Sequence, residues 1–511
     1  MKFHFIKTTK NNRVKLIALI IVLFTSSFFS SCSKFLDEEL QGSYPLSQFL
    51  KTESDVDLAV TAVYNTLTYA NTDNRNWVFA TIASDDAAKG GIVGDQADIQ
   101  LIDDFNINSD NGNLEMLWAL YYEGITRANF VIDGAQDINM DETLKNRYLS
   151  ECKFLRAYFY FWLSNVYGDI PMVLTPKNAD ELQIPASSRS DIFQQVIIAD
   201  LKDITENGYL PVTSATSDIG RATQGAALGL LAKAYLFMEE WDNAANAAKA
   251  VTNLAVYSLS DIYSQNFNAN YSNNPEAIFT IQHLAEQEPA LGNSLNQWFA
   301  PRANNGYGFN VPEQAFVDAF EKTSEDIADP RLLYTVGMEG HIWTDDQMFD
   351  PSWSPTGYMQ KKFIQPLSEI PKEFKADANI DYTFMRYSEV YLILAEALNE
   401  LGQTTESLSY LNLVRQRARN SFLFDETLDH FGSIPEGMLP DIITTNQASL
   451  RDAIRHERRV ELGFEMHRYF DVIRYGSTYA NAVFAGTSFN YETNKFFPYP
   501  QSELDTNHEL K

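Results

Sequence analysis

The sequence is poor in cysteine, with only Cys32 and Cys152 among 511 residues. Small secreted domains without a large core are usually held by several disulfides, and this chain cannot contain such a framework. Cys152 stands among bulky apolar neighbours in SECKFLRAYFYFWL. A thiol in such surroundings usually fills space in a core, and we interpret Cys152 in that way rather than as a nucleophile.

Positive charge is also scarce. The 39 lysines and arginines are outnumbered by 68 aspartates and glutamates, which gives a formal net charge of −29. Phosphate backbones repel a chain with this excess of negative charge, so we expect no nucleic-acid partner. Hydrophobic residues make up 45% of the chain, a fraction that excludes wholesale disorder. No linker rich in Gly, Ser or Pro divides the chain into separate domains.

The N-terminus lacks a hydrophobic run long enough to cross a bilayer. Its apolar run is LIALIIVLF (residues 16–24), whereas a membrane-spanning helix needs about 20 apolar residues. Basic residues and no acid precede this run, as is typical of a secretory signal peptide. The alternative, a buried N-terminal helix, explains neither the basic flank nor the small residues before Cys32.

Cys32 follows this run and precedes an acidic stretch, SKFLDEEL. Residues 1–31 together with Cys32 resemble a bacterial lipoprotein signal, which implies cleavage before Cys32 and its acylation. The acidic stretch resembles the export tag of surface lipoproteins. Each buried acyl CH₂ group contributes about 0.8 kcal/mol, so several chains would anchor the protein to the outer membrane at the cell surface.

Motifs of the common catalytic and metal centres are absent from the sequence. We find no HExxH, no paired CxxC, no GxSxG and no phosphate-binding glycine loop. His456 and His467 would stand about 16 Å apart on one helix, too far apart to share an ion. The sequence therefore predicts no catalytic residue, no metal ligand and no cofactor.

Glu457, Glu461 and Glu465 recur at every fourth position in RHERRVELGFEMHR. Like charges at this spacing destabilise a helix unless cations lie between them. Four arginines are candidates for that role, two of them at three-residue spacing: Arg415, Arg417, Arg458 and Arg468. We interpret the glutamates as an ion-pair network that fixes a C-terminal helix to the preceding helices, rather than as hydrolytic carboxylates, which need an open cleft.

Most of the remaining sequence has the period of α-helices. Thr52 with Asp55 three residues later has the form of a capping box at a helix start. The segment CKFLRAYFYFWLSNV is apolar on nearly all sides, which predicts a central buried helix that ends at Gly168 and Pro171.

Two segments match each other along the sequence. LLAKAYLFMEEWDNAANAAKAV begins at Leu230 and ILAEALNELGQTTESLSYLNLV begins at Ile393, with alanines and apolar residues in matching positions. Each predicts two helices joined by a short turn, with small residues on the inner face, as in tetratricopeptide repeats. We expect an all-α fold with such helical-hairpin repeats mainly in residues 50–255 and 383–475.

Residues 265–381 have a different pattern, rich in Asn, Gly, Pro and aromatics with little helical period. The stretch EAIFTIQ predicts a short strand there. Because loops carry function more often than the elements they join, we expect this loop-rich insert to hold the ligand site.

Seven segments follow one another in the order found in the SusD/RagB family, and the chain resembles that family over nearly all of residues 32–511. They are LWALYYEGITRANFVID, FLRAYFYFWLSNVYGDIP, DPRLLYTV, FMRYSEVYLILAEALNELG, YLNLVRQRA, LRDAIRHERRVELGFEMHRYFDVIRYG and FFPYPQSEL. The resemblance implies one SusD-like domain with four tetratricopeptide repeats and an irregular ligand-binding subdomain. It also implies capture of oligosaccharides, or in some members peptides, without chemistry, for a SusC-like TonB-dependent transporter.

Aromatic residues with polar neighbours in irregular segments are the candidate ligand-binding residues. A flat ring that keeps its shape before binding loses little entropy when a sugar ring packs on it. The aromatic candidates are Trp77, Trp298, Tyr307, Trp343 and Trp353. The polar candidates flank Trp77, where the resembled family often places ligand contacts, and are Arg75, Asp85 and Asp86. We expect two or more of the aromatic residues to form a binding platform.

The leading hypothesis is a surface lipoprotein that binds a glycan and passes it to the transporter. Peptide capture is a second hypothesis, since peptides also bind in aromatic-lined grooves. A surface glycan hydrolase is a third, and would need a carboxylate pair in which one pKa is raised. A repeat scaffold that binds other proteins on its concave face is a fourth.

Overall fold

Helices form most of the protein in the computed structural model, which describes residues 49–68, 74–178, 181–287, 290–370 and 376–510. Residues 1–31 and Cys32 lie outside the described residues. The α-helices are α1 Glu53–Asn65, α2 Ala97–Asp103, α3 Gly112–Gly134, α4 Glu142–Tyr167, α5 Arg189–Ile192, α6 Ala199–Asn207, α7 Gln224–Phe237, α8 Trp241–Asn253, α9 Leu295–Phe299, α10 Gln314–Val317, α11 Pro330–Thr335, α12 Tyr387–Glu400, α13 Thr404–Phe424, α14 Gln447–Glu461, α15 Arg468–Arg474, α16 Ser477–Val483, α17 Tyr491–Asn494 and α18 Gln501–Thr506. In this part of the chain no helix is long and apolar enough to span a membrane.

The first helix begins at the predicted capping box. The Asp55 backbone N–H donates to the Thr52 hydroxyl at 3.3 Å, and the Thr52 N–H donates to the Asp55 carboxylate at 2.9 Å. Two N–H groups that the helix cannot satisfy internally thus find acceptors, which fixes the start of α1.

Helix α4 is the central buried helix that the sequence predicts. Its residues are buried without a break from Tyr148 to Tyr167, apart from partly exposed Lys153, and it packs against α3. A Cβ atom on Gly124 of α3 would lie 2.5 Å from the Phe159 ring, so the two helices approach closely because Gly124 has no side chain. Burial raises the pKa of the Cys152 thiol well above its ordinary value, which agrees with a core-filling role for Cys152.

The two predicted helical hairpins are α7–α8 and α12–α13, and α8 packs against α12. Ala244 and Ala248 of α8 and Ala395 of α12 are completely buried, as small residues are where helices approach closely. The prediction of an all-α fold with tetratricopeptide-like hairpins is confirmed.

Short strands pair two by two, and most of them lie in the loop-rich insert. The antiparallel pairs are β1 Ala87–Gly90 with β5 Phe309–Pro312, β2 Ile170–Pro171 with β3 Ala186–Ser187, β4 Ala277–Ile281 with β8 Tyr382–Arg386, and β6 Val336–Gly337 with β7 Met359–Gln360. The predicted strand EAIFTIQ is confirmed as β4. The β1–β5 pair connects the region after α1 to the insert, and this connection positions the candidate site.

A buried ion-pair cluster attaches α14 to the insert and to α13. Glu461 contacts Arg331 and Arg386 at 3.0 Å each, and it also contacts Arg417 of α13. Glu457 contacts Arg331 at 2.5 Å and Arg415 of α13 at 3.0 Å. All of these residues are buried, so the predicted ion-pair network is confirmed.

The predicted partners of Arg458 and Arg468 are wrong. Helix α14 ends at Glu461, and the backbone then turns through a positive φ at Phe464, so Glu465 is not on the same helix face. Arg458 contacts Asp471, and Arg468 contacts Asp85.

Candidate functional site

A cleft of about 560 Å³ lies beside α9 and the start of β5. Its lining residues come from three separate parts of the chain: Arg75, Asp95, Gln96, Gln297, Trp298, Arg302, Tyr307, Phe309 and Ala376. The structure thus brings three of the predicted ligand-binding residues together in one cleft, Arg75, Trp298 and Tyr307.

Two aromatic rings form one wall of the cleft. The centroids of Trp298 and Tyr307 are 5.0 Å apart with the rings inclined by 67°. Tyr307 is 37% exposed and Trp298 5%, so Tyr307 offers a ring to the cleft while Trp298 offers little more than an edge. The Tyr307 N–H donates to the Gln297 carbonyl at 2.8 Å. The turn before Tyr307 requires glycine, because a Cβ on Gly306 would lie 2.0 Å from the Ala300 carbonyl oxygen.

Arg75 packs over the Trp298 ring of this aromatic wall. Its guanidinium carbon is 4.0 Å from the centroid of the Trp298 ring, and its Nη1 donates to Asn113 Oδ1 at 3.1 Å. A cation over an indole face is stabilised by about 0.5–2 kcal/mol, depending on its desolvation. Arg75 and Trp298 therefore hold each other in one orientation before any ligand arrives.

Asp95 and Arg302 form the polar rim of the cleft. Asp95 lies in the loop after β1, and Arg302 follows α9. Asp95 forms an ion pair with Arg302, and both side chains are partly exposed. Lys89 Nζ donates to the Asp95 backbone carbonyl at 2.7 Å. A Cβ on Gly90 would lie 2.4 Å from the Gly308 carbonyl oxygen, so this close approach requires glycine at position 90. The rim therefore has a fixed position relative to the aromatic wall.

Trp77 lies beneath the aromatic wall. It is completely buried, with its ring centroid 5.8 Å from that of Trp298 and 5.3 Å from that of Phe299. A ring with no exposed surface cannot contact a ligand in this conformation, which corrects the expectation of a direct contact. Trp77 lies in the loop after α1, as expected from the sequence. The rings of Trp298, Phe299 and Phe309 from the insert pack on it and cover it.

Asp85 and Asp86 do not line the cleft. Arg468 donates to Asp85 at 2.7 and 2.9 Å, and Arg459 Nε donates to Asp86 at 2.6 Å. Burial alone would raise the pKa of Asp85, but the hydrogen bonds and charges of Arg468 and Arg459 outweigh it and lower that pKa. For Asp86, burial is the stronger effect and raises the pKa. Both carboxylates connect the start of β1 to the C-terminal helices, which corrects their expected role as ligand contacts.

Trp343 and Trp353 form a second aromatic cluster around Phe349. Their ring centroids are 6.4 Å apart, and the Trp353 centroid is 5.4 Å from that of Phe349. Trp343 is 2% exposed and has no free ring face, whereas Trp353 is partly exposed. Neither lines the cleft, although Asn304 Nδ2 donates to Gln347 Oε1 at 3.0 Å between the two loops. These two tryptophans do not join the aromatic wall of Trp298 and Tyr307.

Asp95 and Arg302 at the rim of the cleft were not among the residues predicted from the sequence. Asp95 and Arg302 are 207 positions apart, and no local pattern indicates that they meet. The nearest signal was a polar residue beside a glycine in an irregular segment, as in VGDQ and PRANNG. Among the residues that the structure describes, no group of three His, Cys, Asp or Glu side chains is placed to hold a metal ion.

Two family models match the chain. The model described as "SusD family" matches residues 275–511, and a second, described as "Starch-binding associating with outer membrane", matches residues 34–236. Among similar proteins, SusD-like protein P2 of Formosa agariphila is 26% identical over an alignment of 519 positions. The alignment covers 97% of this chain and 98% of that protein.

Solved structures share the fold over most of the chain. A laminarin-binding SusD-like protein is 25% identical, with a TM-score of 0.75 over 90% of this chain and 99% of that one. A SusD superfamily protein from Bacteroides vulgatus is 24% identical, with a TM-score of 0.76 over 91% of this chain and 99% of that one. The second likeness concerns the fold alone.

Proposed function

The chain belongs to the SusD/RagB family, and on that premise we propose that it captures oligosaccharides at the cell surface and delivers them to a SusC-like TonB-dependent transporter. The observation that carries this proposal is the cleft in which Tyr307, Trp298 and Arg75 form a preformed wall beside polar side chains. The solved relative at 25% identity that is described as laminarin-binding supports a glycan as the ligand.

The chemistry of the cleft suits a sugar ring. The C–H face of a sugar packs on the exposed Tyr307 ring, and the fixed orientation of that ring keeps the entropy cost of binding low. The side-chain amides of Gln96 and Gln297 both donate to and accept from hydroxyl groups. Asp95 accepts from hydroxyl groups and Arg302 donates to them, so neighbouring hydroxyls on one ring find complementary partners.

The same residues support capture rather than hydrolysis. A glycosidase of the usual kind needs two carboxyl groups on either side of the scissile bond. Asp95 is the one carboxylate among the described residues that line the cleft, so these residues offer no second carboxyl group to pair with it. The proposed role is therefore to bind a glycan and release it unchanged.

Titration calorimetry with a panel of neutral oligosaccharides and a panel of short peptides tests this function. We expect at least one oligosaccharide to bind with a dissociation constant of roughly micromolar to millimolar, because much tighter binding would oppose release to the transporter. We expect no peptide to bind in that range. Binding of peptides without binding of any oligosaccharide would contradict the proposal.

Cys32 is proposed as the site of the lipid anchor at the outer membrane. Replacing Cys32 by alanine removes the thiol that would carry the acyl chains, so we expect the variant to leave the membrane fraction. Cell fractionation followed by mass spectrometry of the N-terminal peptide measures this. Cys152→Ala is the matched control and should stay with the membrane. A wild-type protein that is soluble in the periplasm with a free Cys32 thiol would contradict the anchor.

A further inference from the structure

A second, polar cleft of about 770 Å³ lies between β4 and the residues that precede β8. Its lining side chains are mostly amides, carboxylates and hydroxyls: Ala269, Asn270, Ser272, Gln282, His283, Leu284, Gln365, Glu369, Asn379 and Asp381. No Phe, Tyr or Trp is among these described lining residues, in contrast to the cleft at Tyr307.

The segment 376–381 contributes residues to both clefts. On one side, the side chains of Asn379 and Asp381 accept the backbone N–H groups of residues 285 and 283, and both side chains line the polar cleft. On the other side, the carbonyl of Ala378 accepts the N–H of Asn293, just before α9, and Ala376 lines the cleft at Tyr307. The two clefts share no lining residue, so they are distinct sites.

His283 lines the polar cleft and has a buried ring nitrogen without a hydrogen-bond partner among the described residues. The side chain is 8% exposed, and its Nδ1 lies 3.2 Å from the Leu291 carbonyl oxygen. A carbonyl can only accept, so Nδ1 carries the proton. Burial lowers the pKa of His283 to about 4, which keeps the ring neutral at pH 7. Nε2 is then a lone-pair acceptor, and none of the described protein groups donates to it.

The lining groups define the ligand that would fit. A buried acceptor without a donor destabilises a protein by about 1–3 kcal/mol, and a ligand O–H group that displaces the side chains covering Nε2 would remove that cost. Glu369 and Asp381 also accept hydrogen bonds and would repel an anion. The amides of Asn270 and Gln365 donate as well as accept. These groups together favour a neutral ligand with several hydroxyl groups.

We propose that this polar cleft is a second saccharide-binding subsite, independent of the cleft at Tyr307. The choice of a saccharide rests on the proposed function, whereas the position of the subsite rests on the lining residues and on His283. The subsite recognises hydroxyl groups by hydrogen bonds alone, and the cleft at Tyr307 recognises the ring face. One protein molecule therefore binds two short oligosaccharides.

The number of bound oligosaccharides tests this proposal. We would titrate the purified protein, without its signal peptide, with laminarin hexasaccharide, or with whichever short oligosaccharide binds best in the panel. We expect two equivalents for the wild type, one for Tyr307→Ala, one for Asn270→Trp and none for the double variant. Asn270 is exposed, so a tryptophan there fills the cleft without disturbing the core. Asn106→Trp, at an exposed position outside both clefts, is the control and should keep two equivalents.

His283→Phe provides a second variant that removes the acceptor while keeping a planar ring. We expect it to lose the same equivalent as Asn270→Trp. A wild type that binds one equivalent, unchanged by Asn270→Trp and His283→Phe, would overturn the second subsite and leave the proposed function intact. A wild type that binds no oligosaccharide at all would overturn both.

Discussion

Replacing Glu461 by alanine is expected to lower the free energy of unfolding by about 3–5 kcal/mol. The Glu461 carboxylate contacts the guanidinium groups of Arg331, Arg386 and Arg417, and all four side chains are at most 4% exposed. Removing the carboxylate leaves several buried cations with less compensating charge, and water cannot reach them to replace it. The loss is therefore far greater than that of a surface ion pair.

Chemical unfolding of both proteins at pH 7 measures this difference. Glu123→Ala is the matched control, because Glu123 forms an ion pair with Arg127 at the helix surface. Exposed pairs of this kind contribute about 0.3–0.5 kcal/mol, so we expect the control to be almost as stable as the wild type. Equal stability of the Glu461 and Glu123 variants would contradict the importance of the buried cluster.

The effect of Glu461→Ala should depend on pH. Burial alone would raise the pKa of Glu461, but the charges of Arg417, Arg386 and Arg331 outweigh it and hold the pKa well below its ordinary value of 4.5. A carboxyl group whose pKa is lower in the folded state stabilises the protein above its unfolded pKa, and this contribution is lost as pH falls. The stability difference between wild type and variant should therefore narrow below about pH 4.5.

Replacing Tyr307 by alanine is expected to weaken oligosaccharide binding at the cleft by at least tenfold, or about 1.4 kcal/mol. Tyr307 is the most accessible ring of the aromatic wall, and its removal takes away the surface on which the sugar face packs. Because more than a third of the side chain is exposed, the melting temperature should change little. Titration calorimetry and thermal unfolding measure the two quantities separately.

Tyr209→Ala is the matched control for this experiment. Tyr209 is also 37% exposed, but it is not among the residues of either cleft. We expect Tyr209→Ala to bind oligosaccharide as the wild type does. If Tyr307→Ala also binds with wild-type affinity, the cleft at Tyr307 is not the glycan site. Trp298→Ala is less informative, because Trp298 packs on Trp77 and Phe309 and its loss would also destabilise the protein.

The helical part of the fold could be predicted because its signals are local. The capping box at Thr52, the apolar surface of α4 and the alanines of the hairpins are each defined within one or two turns of a helix. Each of these signals depends on residues of one helix or hairpin, so it can be recognised without knowledge of distant contacts.

The cleft could be predicted only in part because its residues meet through distant pairing. Tyr307 and Trp298 lie nine positions apart in the loop-rich insert, and so their type and surroundings indicated a common role. The burial of Trp77 depends on the β1–β5 pair, which joins residues more than 200 positions apart. Asp85 and Asp86, eight and nine positions after Trp77, have the same local pattern whether they contact a ligand or an arginine of a later helix.

The close approach of Gly90 to the Gly308 carbonyl separates two kinds of position near the cleft. At some positions the residue type must stay the same, and at others it can change. Any side chain at position 90 would force the two loops apart, so this position cannot diverge without moving the whole wall. Gln96, Arg302 and Tyr307 line the cleft, are exposed and can be exchanged without such a movement. Relatives that take different sugars would therefore be expected to differ at these outer positions and to retain the glycine.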